Sequence, residues 1–301
     1  MSDPTPFNIH EFDAALLDAA TFVQAVAANE AIEGWTVETI SSNLYRLLPT
    51  DSTTYPMLAI QRKANAIRQG RILEGLFNLG VRVAPRPFYA DEQWLVREWV
   101  PGEPLSRPPT VDNEDMWHRI MALLGAPAHL AFAQYASVIA MIGTGPQNPG
   151  DVIQRLDNAL ASLDPNDPRL NDLTALVKRV HQQVAPQWNY LPPIALSHLD
   201  PLPRHFIWDG KYLRLVGWDA ADWADSAYGV GQLCAHPVYE DVPSSHWVWY
   251  RWELSRLSHE DEGISARATT YTNLMLVYWA MLAPNSKQQE RYYRRALRAF
   301  A

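Results

Sequence analysis

Ser197-His198-Leu199-Asp200, then Phe206-Ile207-Trp208, Asp209-Gly210, Tyr212-Leu213-Arg214-Leu215-Val216 and Gly217-Trp218-Asp219, is the stretch that organises the chain. The apolar runs either side of Asp209-Gly210 predict a short two-stranded hairpin, because Asp-Gly readily adopts the positive φ angles of a tight turn. With His198-x-Asp200 before it and Trp218-Asp219 after it, the hairpin is expected to bring polar motifs from both ends to the mouth of one cleft.

In this order and spacing the stretch resembles the catalytic and metal loops of the aminoglycoside phosphotransferase and choline kinase family. These are small-molecule kinases with a protein-kinase-like fold, whose pattern runs roughly H-G-D-x-x-x-x-N, a hairpin, then I-D-W-E-x-A-x-x-G-D-P-x-x-D. His198, Asp200, Trp218, Ala221, Asp225 and Tyr228 fall in register with it. Other positions depart: the Asn after Asp200 is His205, the metal-binding Asp before Trp218 is Gly217, the next Glu is Asp219, and the last Asp is Gly229.

The resemblance implies an α+β, two-lobed, protein-kinase-like fold. A small N-terminal lobe of antiparallel sheet plus helix is expected over 1–101. A larger, mainly helical lobe follows over 102–301, with the catalytic-loop-like hairpin at 197–228. The boundary falls at Pro101-Gly102, where Pro and Gly interrupt a strand.

Working outward from the hairpin, the length of 301 residues and 48% apolar composition suffice for cores without metal or disulfide staples. A single Cys234 forms no internal disulfide and favours a reducing compartment. There is no basic-plus-apolar leader and no apolar run of bilayer length, so a cytoplasmic protein with no membrane partner is expected. The net charge of −8, with no run of Lys or Arg, argues against nucleic acid, because phosphate neutralisation needs clustered cations. Arg291, Arg294, Arg295 and Arg298 have the spacing of a solvated helix face. The 12 Trp suit an aromatic ligand cleft as well as a large core.

The N-terminal half begins with a helical pattern over 11–27, through Phe12, Leu16, Phe22, Val23 and Val26. Strands follow at 35–37 and 43–48 around the polar turn Ser41-Ser42-Asn43. By resemblance this turn is the flap over the nucleotide phosphates, though it has no glycine; on turn chemistry alone it is equally a plain hairpin turn. In the next strand, 55–61, the family's phosphate-binding cation falls on Ala59 or, two residues on, on Gln61. Arg62 or Lys63 substitutes only if the strand ends early and the side chain folds back. Residues 64–79 predict a helix stopped by Gly80, with Ile72, Leu73, Leu76 and Phe77 on one face. Its Glu counterpart is Gln69, or Glu74 further on. The missing cation and missing counter-ion are consistent, since an unpaired buried Glu would cost several kcal/mol, roughly. Residues 94–105 match the family's hinge, so the backbones of Glu98, Trp99 and Val100 are candidates for reading an adenine edge.

Beyond the hinge, residues 112–142 read as helical. Asp151 and Asn171 are expected to cap the next helices, and Ser286-x-x-Gln289 the last one. His181 reads as a surface or packed histidine. Residues 237–243 read as a loop, and 247–257 and 269–282 as apolar core helices. Glu240, Asp241, Glu253 and Glu260 are candidate acids on the acceptor side, where surface solvation is the commoner role for carboxylates.

The resemblance assigns Asp200 as catalytic base, His198 as the residue orienting its loop and Asp225 as the brace. ATP and Mg²⁺ are the cofactors it implies, but their ligand positions are His205 and Gly217. A local slip of the loop would offer Asp219 or Asp222 instead. Two readings follow: a catalytically impaired, pseudokinase-like member that binds a small molecule in an aromatic, acidic cleft, a nucleotide or a partner protein; or an active small-molecule kinase with a relocated metal ligand.

Overall fold

The computed structural model describes residues 9, 12–130, 135, 143–184, 192–257, 261 and 263–301. Two compact units emerge. One holds the described residues up to Glu103 together with Ile207–Asp219; the other holds Pro104–Tyr135, Gly143–Phe206 and Ala220–Ala301.

The first unit is built on strands β1 (Trp35–Ser41), β2 (Leu44–Pro49), β3 (Leu58–Arg62), β4 (Pro87–Ala90) and β5 (Trp94–Glu98). They form an antiparallel sheet in the order β1-β2-β3-β5-β4. Successive residues of a strand face opposite sides. Leu47, Leu58, Ile60 and Val96 therefore share one side, and there they join Val23 and Val26 of helix α1 (Ala19–Ala28) in the apolar core. Burying each such side chain contributes about 2 kcal/mol. Helix α2 (Ala66–Asn78) lies on the other side, where Gly70 makes room: a Cβ there would stand 2.3 Å from the Ala90 Cβ. The expected helix over 11–27 is shorter. Asp13 caps a 3-10 turn at Ala14–Leu16, and Asp18 caps α1 by accepting from the Thr21 N–H at 3.1 Å. Each aspartate starts its own helical segment.

The predicted hairpin is present as β8 (Phe206–Trp208) and β9 (Leu213–Leu215), which sit with the two-residue β6 (Glu103–Pro104) in the sheet order β6-β8-β9. Gly102, at φ 109°, must be glycine, since a Cβ would meet the Trp208 carbonyl oxygen at 2.5 Å. Arg214 of β9 grips the buried carboxylate of Glu98, with Nη2 at 2.9 Å from Oε2 and Nη1 on Oε1.

The second unit is mainly helical: α3 (Glu114–Gly125), α4 (Pro149–Ala161), α5 (Leu170–Gln183), α6 (Ser226–Ala235), α7 (Ser244–Leu257), α8 (Ile264–Leu282) and α9 (Ser286–Ala299). Beside them β7 (Ile194–Ser197) pairs antiparallel with β10 (Asp222–Asp225). Gly231 lets α6 lie directly on α8, as an added Cβ would be 2.4 Å from the Tyr271 Cβ. Trp117 packs edge-on against Trp247 and Tyr250, with centroids 5.5 and 6.0 Å apart, so several of the tryptophans serve the core.

The expected caps shift by a few residues. Asn148 caps α4 while Asp151 completes the capping box from the third helical position. Asn171 lies inside α5, whose first flanking residue is Arg169. Asn285, not Ser286, caps α9 by accepting from the Gln288 N–H at 2.9 Å. At α4 and α9 a polar residue one or more positions earlier reaches the exposed N–H groups, whereas Arg169 makes no side-chain cap at α5. The loop expected over 237–243 contains a 3-10 turn, Pro237–Tyr239. The helical pattern over 131–134 and 136–142, and Glu260, lie outside the described residues. Among the described residues no helix is long and apolar enough to cross a membrane.

Candidate functional site

In the helical unit, the segment after β7 is held from its backbone. The Asp200 carbonyl accepts from the Leu202 N–H at 2.8 Å and from His205 Nδ1 at 2.6 Å. His205 therefore carries its proton on Nδ1 and serves as a strut for the loop. Tyr239 adds a second strut, its hydroxyl donating to the Pro201 carbonyl at 2.5 Å. Burial raises the Tyr239 pKa well above 10, which keeps that donor protonated. His198 is buried, and its ring stands 5.7 Å from that of His205 in an edge arrangement.

Asp225 is fully buried at the end of β10, where it caps α6 by accepting from the Ala227 N–H at 3.0 Å. Arg267 of α8 binds both its oxygens, Nε at 2.8 Å and Nη2 at 3.1 Å, and also binds Asp261 at 2.6 and 2.8 Å. Burial pushes the Asp225 carboxyl upward and Arg267 pulls it back, with burial the stronger influence. On Arg267, burial acts downward, but the hydrogen bonds from Asp261 and Asp225 outweigh it and raise its pKa. The arrangement is a two-pronged brace between β10, α6 and α8.

Against this frame the Asp200 carboxylate, 37% exposed, borders a cavity of about 210 Å³. Tyr228, Tyr278, Trp279, His236, Gln232 and Arg155 are among its lining residues. Gln232 donates to the Tyr228 hydroxyl at 2.7 Å, and His236 packs edge-on against Trp279 with centroids 5.0 Å apart. Burial lowers the His236 pKa, opposed by the charge of Asp200, and its Nδ1 accepts from the Val238 N–H at 3.1 Å. His236 is thus the neutral, Nε2-protonated imidazole at neutral pH. The charged side chains of the lining are Asp200 and Arg155. Glu240 pairs with Arg291, and buried Glu253 pairs with Arg256 and His118. His181 pairs with Asp157 on the surface at 2.9 Å.

The sheet unit holds the remaining candidates. Ser41, Ser42 and Asn43 form an exposed turn in which Ser41 Oγ donates to Asn43 Oδ1 at 2.8 Å. Ala59 and Gln61 both lie on the sheet side opposite the apolar core. Gln69 is buried, and its Oε1 has no hydrogen-bond partner among the described residues. The N–H groups of Glu98 and Trp99 are committed to the carbonyls of Arg86 and Met57, at 2.8 and 3.0 Å. Sequence reasoning allowed Lys63 only as a conditional substitute. It sits just past the end of β3, with Nζ 3.1 Å from the Asp219 carboxylate, while Arg68 donates to the Asp219 carbonyl.

Magnesium, which the sequence resemblance implies, does not fit these residues. Gly217 supplies no side chain, His205 Nδ1 is spent on a carbonyl, and Asp219 is neutralised by Lys63. A hard dication needs several anionic or carbonyl oxygens with little competition. Asp222 lies on β10 opposite Ser197, beside the Gly143–Gly145 backbone. Among the described residues no group of three or more His, Cys, Asp or Glu side chains is disposed to hold a metal.

A family model described as a phosphotransferase enzyme family matches residues 58–260, more than half of the chain. No curated protein matches the sequence. Among solved structures the chain is similar to choline kinase from Cryptosporidium parvum Iowa II, with 11% identity and TM-score 0.62 over 94% of this chain and 95% of that one. It is similar to a macrolide 2′-phosphotransferase from Brachybacterium faecium, with 14% identity and TM-score 0.55 over 92% and 97%. It is also similar to a spectinomycin phosphotransferase solved with ADP and spectinomycin, with 9% identity and TM-score 0.54 over 93% of each chain. At these identities the likeness is one of fold, the α+β protein-kinase-like fold.

Proposed function

Because this chain belongs to the phosphotransferase enzyme family, we propose that it is a catalytically impaired, pseudokinase-like member that works by binding. The ligand is a small hydroxylated molecule seated in the aromatic cavity, with a hydroxyl donating to Asp200. The observation that carries the reading is the Lys63–Asp219 pair, which engages the carboxylate two residues past the position of the missing metal ligand. Phosphoryl transfer rests on positioning and on neutralising the charge that develops on the transferred group. A protein that keeps the acceptor side and withdraws the metal ligands retains binding and loses several kcal/mol of that neutralisation, roughly. The single cysteine, Cys234, is buried as a free thiol, which suits a cytoplasmic protein. Protein partners, if the liganded form has them, read out that binding.

The same pair favours a second reading. Lys63 stands two residues past Gln61 and Asp219 two past Gly217, so the pair is also what a phosphate-binding cation and a metal ligand would look like if both had moved together along the chain. In that active kinase Asp200 is the base.

The deciding experiment is ATP affinity and turnover by the whole chain, with and without Mg²⁺, beside Lys63→Met and Asp219→Asn. The impaired reading expects nucleotide affinity indifferent to Mg²⁺ and no transfer that either substitution removes. Magnesium-dependent transfer, abolished in both variants, overturns it in favour of the active kinase.

A further inference from the structure

The cavity beside Asp200 is lined by one carboxylate and one cation, Asp200 and Arg155, together with Tyr228, Trp279 and His236. The acceptors next to Asp200 are spent. Its own carbonyl is taken by Leu202 and His205, the Pro201 carbonyl by the Tyr239 hydroxyl, and His236 Nδ1 by the Val238 N–H. Donors are what the lining has left. The buried Nε1–H of Trp279 has no hydrogen-bond partner among the described residues. The Tyr228 oxygen accepts from Gln232 at 2.7 Å and stands 3.4 Å from Arg155 Nη1, so its own hydrogen remains to be given. Burial raises the Tyr228 pKa, which keeps that hydrogen in place.

Arg155 is answered by no acid. Among the described residues its contacts are the Tyr228 hydroxyl and the Tyr228 ring, whose centroid lies 5.9 Å from the guanidinium carbon. Both acids of its own helix, α4, are committed elsewhere: Asp151 accepts from the N–H groups of Gln147 and Asn148, and Asp157 pairs with His181. An exposed arginine without a partner is ordinary on an open surface. Arg155 is exposed, but it lines a cavity that already holds more donors than acceptors. It also takes a cation–π place on Tyr228 with the protein's own charge, and a cationic ligand there would meet it as a like charge. The aromatic lining is therefore no cage for an ammonium group.

We propose that the ligand of this cavity is a small hydroxy acid, whose hydroxyl donates to Asp200 and whose carboxylate accepts from Arg155 and from the remaining donors of Tyr228 and Trp279. The hydroxyl half rests on the functional reading above; the carboxylate half is read from Arg155, Tyr228 and Trp279. A guanidinium offers parallel N–H groups that match the two oxygens of a carboxylate. A single lining cation answers the single charge of a carboxylate, whereas a phosphate ester brings about two. Size points the same way. The cavity of about 210 Å³ is smaller than the roughly 300–1,000 Å³ of sites for drug-sized ligands, which suits a short chain rather than a molecule of several rings.

The test is calorimetric titration of the whole chain with glycerate and γ-hydroxybutyrate, with their amides and with choline, for wild type, Arg155→Met, Arg155→Lys and Asp200→Asn. Wild type is expected to bind at least one of the acids about fivefold or more tighter than its amide. Arg155→Met should lose that preference and Arg155→Lys keep part of it, both melting as wild type does because Arg155 is exposed. In an NMR titration the Trp279 indole N–H signal, identified by its absence in Trp279→Phe, should move downfield as the acid binds. Acid and amide that bind alike, or choline that binds tighter than either acid, overturn the proposal. So does a preference for the acid that survives in Arg155→Met or leaves the Trp279 signal unmoved. Amide binding lost in Asp200→Asn would in those cases leave Asp200 standing as the acceptor for a ligand hydroxyl. Wild type that binds none of the probes overturns the proposal and the small-molecule reading of the cavity together.

Discussion

By its order in the sequence the helical unit keeps His198, Asp200 and Asp225 of the family pattern and departs from it at His205, whereas in the sheet unit every position that the pattern gives to the phosphates, their counter-ion and the metal departs: Ala59 or Gln61, Gln69 and Gly217. The retained residues also have folding work to do. Asp225 caps α6 and answers the buried charge of Arg267; the carbonyl of Asp200 is the acceptor on which Leu202 and His205 close the loop. In the sheet unit, the same positions hold neutral side chains that a fold without ligand tolerates. Retention of a motif therefore says less about chemistry where its residues brace the fold.

The sharpest way to break that comparison is to remove the brace. Asp225→Ala leaves Arg267 buried with Asp261 as its remaining carboxylate and uncaps α6. Removing one partner of a buried pair is expected to cost about 3 kcal/mol or more in urea unfolding. Asp225→Asn, which keeps a cap acceptor, should cost less. A loss below about 1 kcal/mol, the size of an ordinary surface change, would mean that folding does not explain why Asp225 is kept.

A smaller effect separates the units by their glycines. In Gly231→Ala the new Cβ meets the Tyr271 Cβ at 2.4 Å and the Thr272 nitrogen at 2.9 Å, so two helices must move apart. We expect a loss of about 2–3 kcal/mol. In Gly70→Ala the nearest contact is the Cβ of Ala90 at 2.3 Å, on an edge strand. Relief by Ala90→Gly is available there, and alanine gains about 1 kcal/mol of helix propensity. The double variant should be close to wild type, while no single side-chain change should rescue Gly231→Ala. Equal costs for the two glycines in denaturant unfolding would contradict this difference.

Local chemistry made much of this legible from the sequence. Asp209-Gly210 marks its hairpin, Gly80 ends α2, and the apolar alternation of β3 and β5 fixes which side of the sheet is core. Helix starts were misplaced where neighbouring polar residues compete for the same N–H groups, as Asn148 does with Asp151. The pairing of Ser197 with Asp222 and the reach of Lys63 to Asp219 depend on register between segments distant in sequence. No local pattern encodes that register.

The smallest effect tests the retained side of the comparison from within the cavity. The His236 pKa is lowered from 6.5 by burial, while the Asp200 charge raises it and Arg204 lowers it. A folded-state value below the unfolded one means that the unfolded chain binds the proton first. Stability therefore falls as pH drops through 6.5 and levels off once the folded imidazole titrates. Asp200→Asn removes the one carboxylate that favours the charged ring. It should move the His236 midpoint further down in an NMR titration and extend the window of falling stability to lower pH. An unmoved midpoint would show that Asp200 and His236 do not act on one another across the cavity, and with that the proposed binding cavity would lose its best-placed reporter. A shifted midpoint that returns toward wild type when Arg204→Gln is added would place the remaining influence on the neighbouring cation, where the charges that bear on His236 put it.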